Sequence, residues 1–208
     1  MHPNPVFHTE DRETNLSFAR ERGFGMLAVS VDGAPLVSHV PFVLADNGEW
    51  ADLHLVRSNP VARALTQPLQ TRLAVSGPDA YVSPDWYGVA DQVPTWNYVA
   101  VHLIGRLELR PQEELRDLLD RQSAVFEAGL APKPAWTTAK MDPDALERMM
   151  RQIVPCRLHI EDVQGTWKLN QNKTDEARLG VADGIAASGL GAETDRLARM
   201  MRDVDQTG

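Results

Sequence analysis

The chain has 208 residues, 43% hydrophobic and 24% charged, a globular composition that supports one good core or two small ones. Its 21 Lys and Arg against 29 Asp and Glu leave a net charge of −8, which argues against a broad nucleic-acid-binding surface. No run reaches the roughly 18 apolar residues that span a bilayer, and the lone Cys156 excludes an internal disulfide framework and a multi-cysteine zinc site. The opening Met1-His2-Pro3-Asn4-Pro5 lacks the basic-then-apolar order of a signal peptide, so the expectation is a cytoplasmic protein with no membrane partner.

In chain order, residues 11–22 predict a short helix capped by Asp11 or Thr14, with Gly23 as its C-terminal stop. Gly25 to Val31 reads as a buried strand, Asp32-Gly33 as a hairpin turn, and Pro35 to Leu44 as the second strand. Asp46-Asn47-Gly48 is a further turn before an alternating strand from Glu49 to Val56. A short helix follows over Pro60 to Leu65, with proline at its first position. Arg72 to Ser76 predicts a strand, Gly77-Pro78-Asp79 a turn, and residues 84–96 an aromatic loop. Asn97 to Leu109 carries Val99, Val101, Leu103 and Leu107 on one face, with Gly105 as a candidate bulge. Helices are predicted over Pro111 to Gly129 and from Pro143 to Ile153. A strand follows over Cys156 to Val163, resuming over Thr166 to Asn170. Strands at meander spacing with late helices favour a small barrel over a parallel βαβ sheet. Residues 1–173 are expected to form that domain, and 174–208 a helical C-terminal appendage.

Three stretches have residue types suited to ligand chemistry. In His54-Leu-Val-Arg57-Ser58-Asn59-Pro60 a strand ends in a cation, a hydroxyl and an amide ahead of a helix, which suits a phosphate dianion. The same residues also read as a plain strand-to-helix turn with Asn59 as cap. Between Tyr81 and Trp96 four large aromatics (Tyr81, Trp86, Tyr87, Trp96) stand among prolines. They form either a wall for a planar ligand or the packing of a barrel mouth. Trp167-Lys168-Leu169-Asn170-Gln171-Asn172 combines a cation with amides that can edge a ring, or it is a polar strand end. The six histidines show no metal-ligand spacing, and no P-loop, G-x-S-x-G or G-x-G-x-x-G is present. Cys156 reads as a small buried hydrophobe.

The stretches Gly77 to Tyr87, Val93 to His102 and Trp167 to Asn172, with His39-Val-Pro-Phe42 and Arg57-Ser-Asn-Pro60 in the same order, resemble the PaiB family of FMN-binding negative transcriptional regulators. The resemblance covers roughly residues 1–180. It implies a mainly β protein with added helices, an FMN-binding split β-barrel similar to pyridoxamine-phosphate oxidase. It also implies a homodimer with FMN at the subunit interface. By this likeness His54, Arg57, Ser58 and Asn59 fall near the flavin phosphate. Ser83, Trp86, Trp96 and Asn97 line the site, and Lys168, Gln171 and Asn172 approach the ring or ribityl chain. Asn170 departs from the family pattern, which commonly has Ser there.

Three functions follow as expectations. The first is a regulator that senses flavin or redox state, directly or through a partner protein. DNA binding is unsupported by charge or motif, because Asp195, Asp203 and Asp205 dilute the stripe of Arg196, Arg199 and Arg202. The second is an FMN-dependent oxidoreductase acting on a small molecule. The third is a haem-handling split barrel with a histidine ligand.

Overall fold

A computed structural model describes residues 1–31 and 33–204; Asp32 of the Asp32-Gly33 turn and Asp205 of the tail lie outside them. Seven strands, β1 (Phe24–Val29), β2 (Leu36–Leu44), β3 (Trp50–Val56), β4 (Leu69–Val82), β5 (Thr95–Leu109), β6 (Ile153–Lys168) and β7 (Gly191–Ala192), are joined in one sheet. Their order is β1-β2-β3-β6-β5-β4-β7, and β4 also pairs with β1. That last pairing closes the first six strands into an antiparallel barrel, the small barrel expected from the meander spacing and the split-barrel architecture implied by the family resemblance.

The chain divides into two compact units. The barrel unit comprises Leu16–Val75 and His102–Val163, and the second comprises Met1–Asn15, Ser76–Val101 and Gln164–Gly208. Strands β4, β5 and β6 pass from one to the other along the chain. In the barrel unit Leu27, Phe42, Leu53, Leu73, Leu103 and Leu158 are fully buried. Each contributes about 1.5–3 kcal/mol by leaving water. Their spacing follows the two-residue strand repeat, so the inward face of the barrel was readable as alternation. Helix α1 (Arg12–Arg22) starts where the Asp11 carboxylate accepts the Thr14 N–H at 2.7 Å, which settles the cap on Asp11. It ends at Gly23, whose φ of +55° places it in the left-handed region. Helices α2 (Pro60–Ala64), α3 (Leu115–Ala128) and α4 (Pro143–Met150) complete this unit. A 3₁₀ turn at Gln112–Glu114 takes up the expected start of α3, and the residues after Met150 leave α4 to enter β6.

Three expectations are corrected. Gly77-Pro78-Asp79 is not a turn, because β4 runs straight through it. Burial falls on residues 71, 73, 75 and 77, then on 78, 80 and 82, so the strand shifts its inward face by one residue, as bulged strands do. Gly105 is no bulge, since alternation along β5 is unbroken there. Its lack of a side chain instead admits the His159 carbonyl oxygen, 1.8 Å from where a Cβ would stand. Gly165 does not interrupt β6, which is one strand of 16 residues.

In the second unit, α5 (Asp175–Ser188) and α6 (Thr194–Arg202) flank β7. β7 pairs Ala192 with Asp79 and Gly191 with Ala80 on β4. Among the described residues no helix is long and apolar enough to cross a membrane, and no group of three or more His, Cys, Asp or Glu is placed to hold a metal ion.

Two outcomes follow. Gly105→Ala forces a methyl into the β6 backbone and should destabilise the protein by about 3 kcal/mol, seen as a lower urea midpoint with an unchanged slope. His102 Nδ1 lies 2.9 Å from Arg72 Nη1, and burial, with the Arg72 charge second, pushes its pKa from 6.5 down to about 4. The folded state therefore favours the neutral ring. Stability from this ring is complete above pH 6.5 and is lost as the pH falls toward 4. His102→Gln should flatten that part of the stability profile.

Candidate functional site

In the barrel unit, β3 ends at Val56 and delivers Arg57 to the junction of α4 and β6. The Arg57 backbone N–H donates to the Gln152 carbonyl at 2.8 Å. Its Nε donates to the Arg151 carbonyl at 3.1 Å, and its Nη2 to Gln112 Oε1 at 2.9 Å and the Ile153 carbonyl at 3.4 Å. Gln112 is itself held by donating to the Met150 and Ile153 carbonyls at 3.1 and 3.2 Å. The guanidinium is thus fixed by neutral acceptors. Among the described residues no carboxylate pairs with it and its Nη1 has no partner. Ser58 stands exposed beside it. A pre-positioned cation with free N–H groups and an adjacent hydroxyl fits a phosphate.

Asn59 is spent on structure. Its Oδ1 accepts the Val61 N–H at 2.8 Å as the α2 cap, and its Nδ2 donates to Ser38 Oγ at 2.9 Å. Pro60 has no N–H, so the five-residue α2 offers little of the free helix terminus that the sequence suggested. His54 is half-buried and associates with Gln122 of α3. Burial lowers its pKa and the Gln122 contact opposes the shift. His54 Nδ1 and Gln122 Nε2 are both buried without hydrogen-bond partners. The structure therefore groups Arg57 with Ser58, and assigns Asn59 to a cap and His54 to α3.

The other seven candidates lie in the second unit. Ser83 precedes a 3₁₀ turn over Pro84–Tyr87, without capping it through its side chain. The Trp86 ring rests on α5 at Gly184, where a Cβ would stand 2.3 Å from ring atom Cδ2. Asn97 is fully buried; its Nδ2 lies 3.5 Å from Met201 Sδ of α6, and its Oδ1 has no partner. Lys168 Nζ donates to Thr95 Oγ1 at 2.5 Å and lies 6.0 Å from the centre of the Phe7 ring. Burial lowers the Lys168 pKa, and no carboxylate pairs with it among the described residues. Gln171 folds back on its own strand, accepting the Leu169 N–H at 2.9 Å and donating to the Trp167 carbonyl at 2.5 Å. Asn172 is exposed. Asn170, in the place of the family's Ser, is buried with φ at +61°, a left-handed conformation in which Asn is enriched.

Trp96 and Asn97 are neighbours on β5 and so face opposite sides. Trp96 remains 47% exposed, with Tyr81 edge-on to it at 6.4 Å between ring centres. It borders an open hollow of about 490 Å³ with Ser76, Gly77, Asp79 and Tyr98. Sequence reading missed Asp79, which it placed in a turn, and Tyr98, whose shared face with Trp96 was hidden by placing Trp96 in a loop.

A second feature it missed lies on the barrel. Buried Asp52 accepts from Arg157 Nε and Nη2 at 2.7 and 2.9 Å and from Arg121 Nη2 at 2.9 Å. Arg157 also covers the Trp50 ring at 4.9 Å. The partners come from β3, β6 and α3, a juxtaposition that no local motif announces. Nearby Cys156 is buried, and its thiol is pushed up to about 12, which keeps it protonated and removes it as a nucleophile.

The Bacillus subtilis (strain 168) protein named "Protease synthase and sporulation protein PAI 2" is 29% identical over 185 residues, 88% of either chain. An uncharacterized protein of Aspergillus fumigatus is 28% identical, over 83% of this chain and 85% of that one. The fold is similar to that of the FAD and heme binding protein from Mycobacterium smegmatis (TM-score 0.58, 19% identity, 89% of this chain and 82% of that one). It is also similar to the flavocytochrome Anf3 from Azotobacter vinelandii (TM-score 0.59, 17% identity, 80% and 72%). The family model described as "Putative FMN-binding domain" matches residues 1–162. The chain therefore belongs to this FMN-binding family of split-barrel proteins, as the motifs indicated, and FMN is the cofactor that its family assigns to it.

Proposed function

We propose that this chain works as a cytoplasmic homodimer of the PaiB type, a negative regulator whose input is bound flavin and whose output passes through a partner protein. The observation that carries the flavin half is the Arg57 guanidinium, anchored by three neutral acceptors with no carboxylate to neutralise it. Arg57 and Ser58 would hold the FMN phosphate. Bound FMN supplies one- and two-electron redox chemistry. The regulatory half rests on the similarity to the Bacillus subtilis protein, whose name refers to protease synthesis and sporulation. A partner is favoured over direct DNA contact because two of the three tail arginines pair with carboxylates. Arg196 pairs with Glu193 at 3.7 Å and Arg202 with Asp183 at 2.7 Å.

A second reading, an FMN-dependent oxidoreductase acting on a small molecule, draws on Lys168. A half-buried ammonium without an acidic partner stabilises negative charge nearby.

Titration with FMN and with riboflavin tests the phosphate assignment. Arg57→Ala should weaken FMN binding by about 2 kcal/mol, roughly 30-fold, and leave riboflavin unchanged; Arg57→Lys should fall between. Equal losses for both ligands would make Arg57 a scaffold residue. Steady oxidation of a reduced nicotinamide by the FMN-loaded protein would favour the oxidoreductase.

A further inference from the structure

Four successive backbone carbonyls at the exit of α4 are served by two residues from elsewhere in the barrel unit. The Met150 carbonyl accepts from Gln112 Nε2 at 3.1 Å and the Arg151 carbonyl from Arg57 Nε at 3.1 Å. The Gln152 carbonyl accepts the Arg57 backbone N–H at 2.8 Å. The Ile153 carbonyl accepts from Gln112 Nε2 at 3.2 Å and from Arg57 Nη2 at 3.4 Å. A helix terminus leaves such carbonyls without donors of its own, and a cation there also suits the helix dipole. α4 has few other supports. It is eight residues long, Leu146 is its one buried side chain, and Met149 is 58% exposed. A helix this short is marginal without outside contacts.

The guanidinium of Arg57 is divided between two tasks. Nε and Nη2 are engaged by the α4 exit and Gln112, whereas Nη1 has no partner among the described residues. An anion taken on Nη1 therefore displaces no bond to α4. The guanidinium is a rigid planar fork, so fixing one of its nitrogens fixes the others. Each partner thus lowers the freedom that the other must remove, and linkage makes the effect equal in both directions.

We propose that α4 reads the occupancy of the Arg57 site: a phosphate on Nη1 steadies the fork whose other nitrogens hold the Arg151 and Ile153 carbonyls, so the α4 exit is closed more firmly with FMN than without it. The proposal rests on the assignment of the FMN phosphate to Arg57 and adds the regulation of that site. Flavin loading becomes order in an exposed helix.

The test is hydrogen exchange of the full chain, followed by mass spectrometry, in the flavin-free protein and with saturating FMN or riboflavin. Peptides over residues 143–153 report on α4, and peptides over 24–44 report on the barrel as a whole. FMN should slow exchange over 143–153 by about fivefold or more beyond any slowing shared with 24–44. Riboflavin, which has no phosphate, should give no such excess, and neither should FMN on Arg57→Ala. The reverse direction is read in affinity. Met149→Gly loosens the helix at an exposed position outside the site, and should weaken FMN several-fold relative to Met149→Ala while leaving riboflavin unchanged. Equal exchange over 143–153 with FMN and riboflavin, while Arg57→Ala still loses affinity for FMN alone, would overturn the coupling and leave the phosphate assignment standing. Equal loss of both flavins in Arg57→Ala would overturn that assignment and this proposal with it. Faster exchange over 143–153 with FMN, or the same FMN affinity in the two Met149 variants, would also overturn the coupling.

Discussion

The inside-outside alternation of β5 organises both units. From Asn97 to Leu107 it never slips, so residues 97, 99, 101, 103, 105 and 107 are buried in unbroken succession. Side chains one residue apart diverge, and those two apart converge. Trp96 and Tyr98 therefore share an open face while Asn97 and Val99 are buried on the other. β4 solves the same problem differently, shifting its inward face by one residue at Gly77-Pro78. Proline at that point costs little, because a bulged position tolerates the missing N–H. A strand of unbroken alternation and one with a phase shift run side by side, and the Trp96 hollow opens where they meet.

Charge in the barrel unit is treated in two ways. Asp52 is buried with two arginines, and removing both would leave its carboxylate uncompensated away from water. Arg57 is also held rigid, but by carbonyls and an amide oxygen that leave its charge uncompensated. The first arrangement is closed and suited to fixing strands in register. The second keeps its attraction for an anion while its side-chain freedom has already been given up on folding, which lowers the entropy lost on capture.

Much of the fold was legible because its signals are local. Asp11 ahead of α1, Asn59-Pro60 ahead of α2 and Asp142-Pro143 ahead of α4 each carry their own capping chemistry. Strand breaks were less legible. Gly77-Pro78-Asp79 has the composition of a turn, yet pairing with neighbouring strands overrides that preference. Gly165 likewise continues within β6. For the site, the motif around Arg57 was readable but the fate of each residue was not. Whether Asn59 meets a ligand or caps a helix depends on Ser38, 21 residues away. His54 turns to Gln122, and Trp86 and Asn97 are engaged by α5 and α6, all partners distant in sequence.

The short strand β7 has a consequence beyond its two residues. In the barrel β1 occupies the second edge of β4, but only along Thr71 to Ala74. Further along, β7 takes that edge at Asp79 and Ala80, and the Leu190 carbonyl accepts the Tyr81 N–H at 3.0 Å. Gly191, with φ at +148°, makes the approach possible, since a Cβ there would stand 2.2 Å from the Asp79 carbonyl oxygen. An uncovered strand edge is a template for pairing with other chains. The C-terminal segment thus works as a built-in guard against edge-to-edge aggregation, and a chain cut short before Gly191 would present β4 to its neighbours in solution as a sticky ribbon.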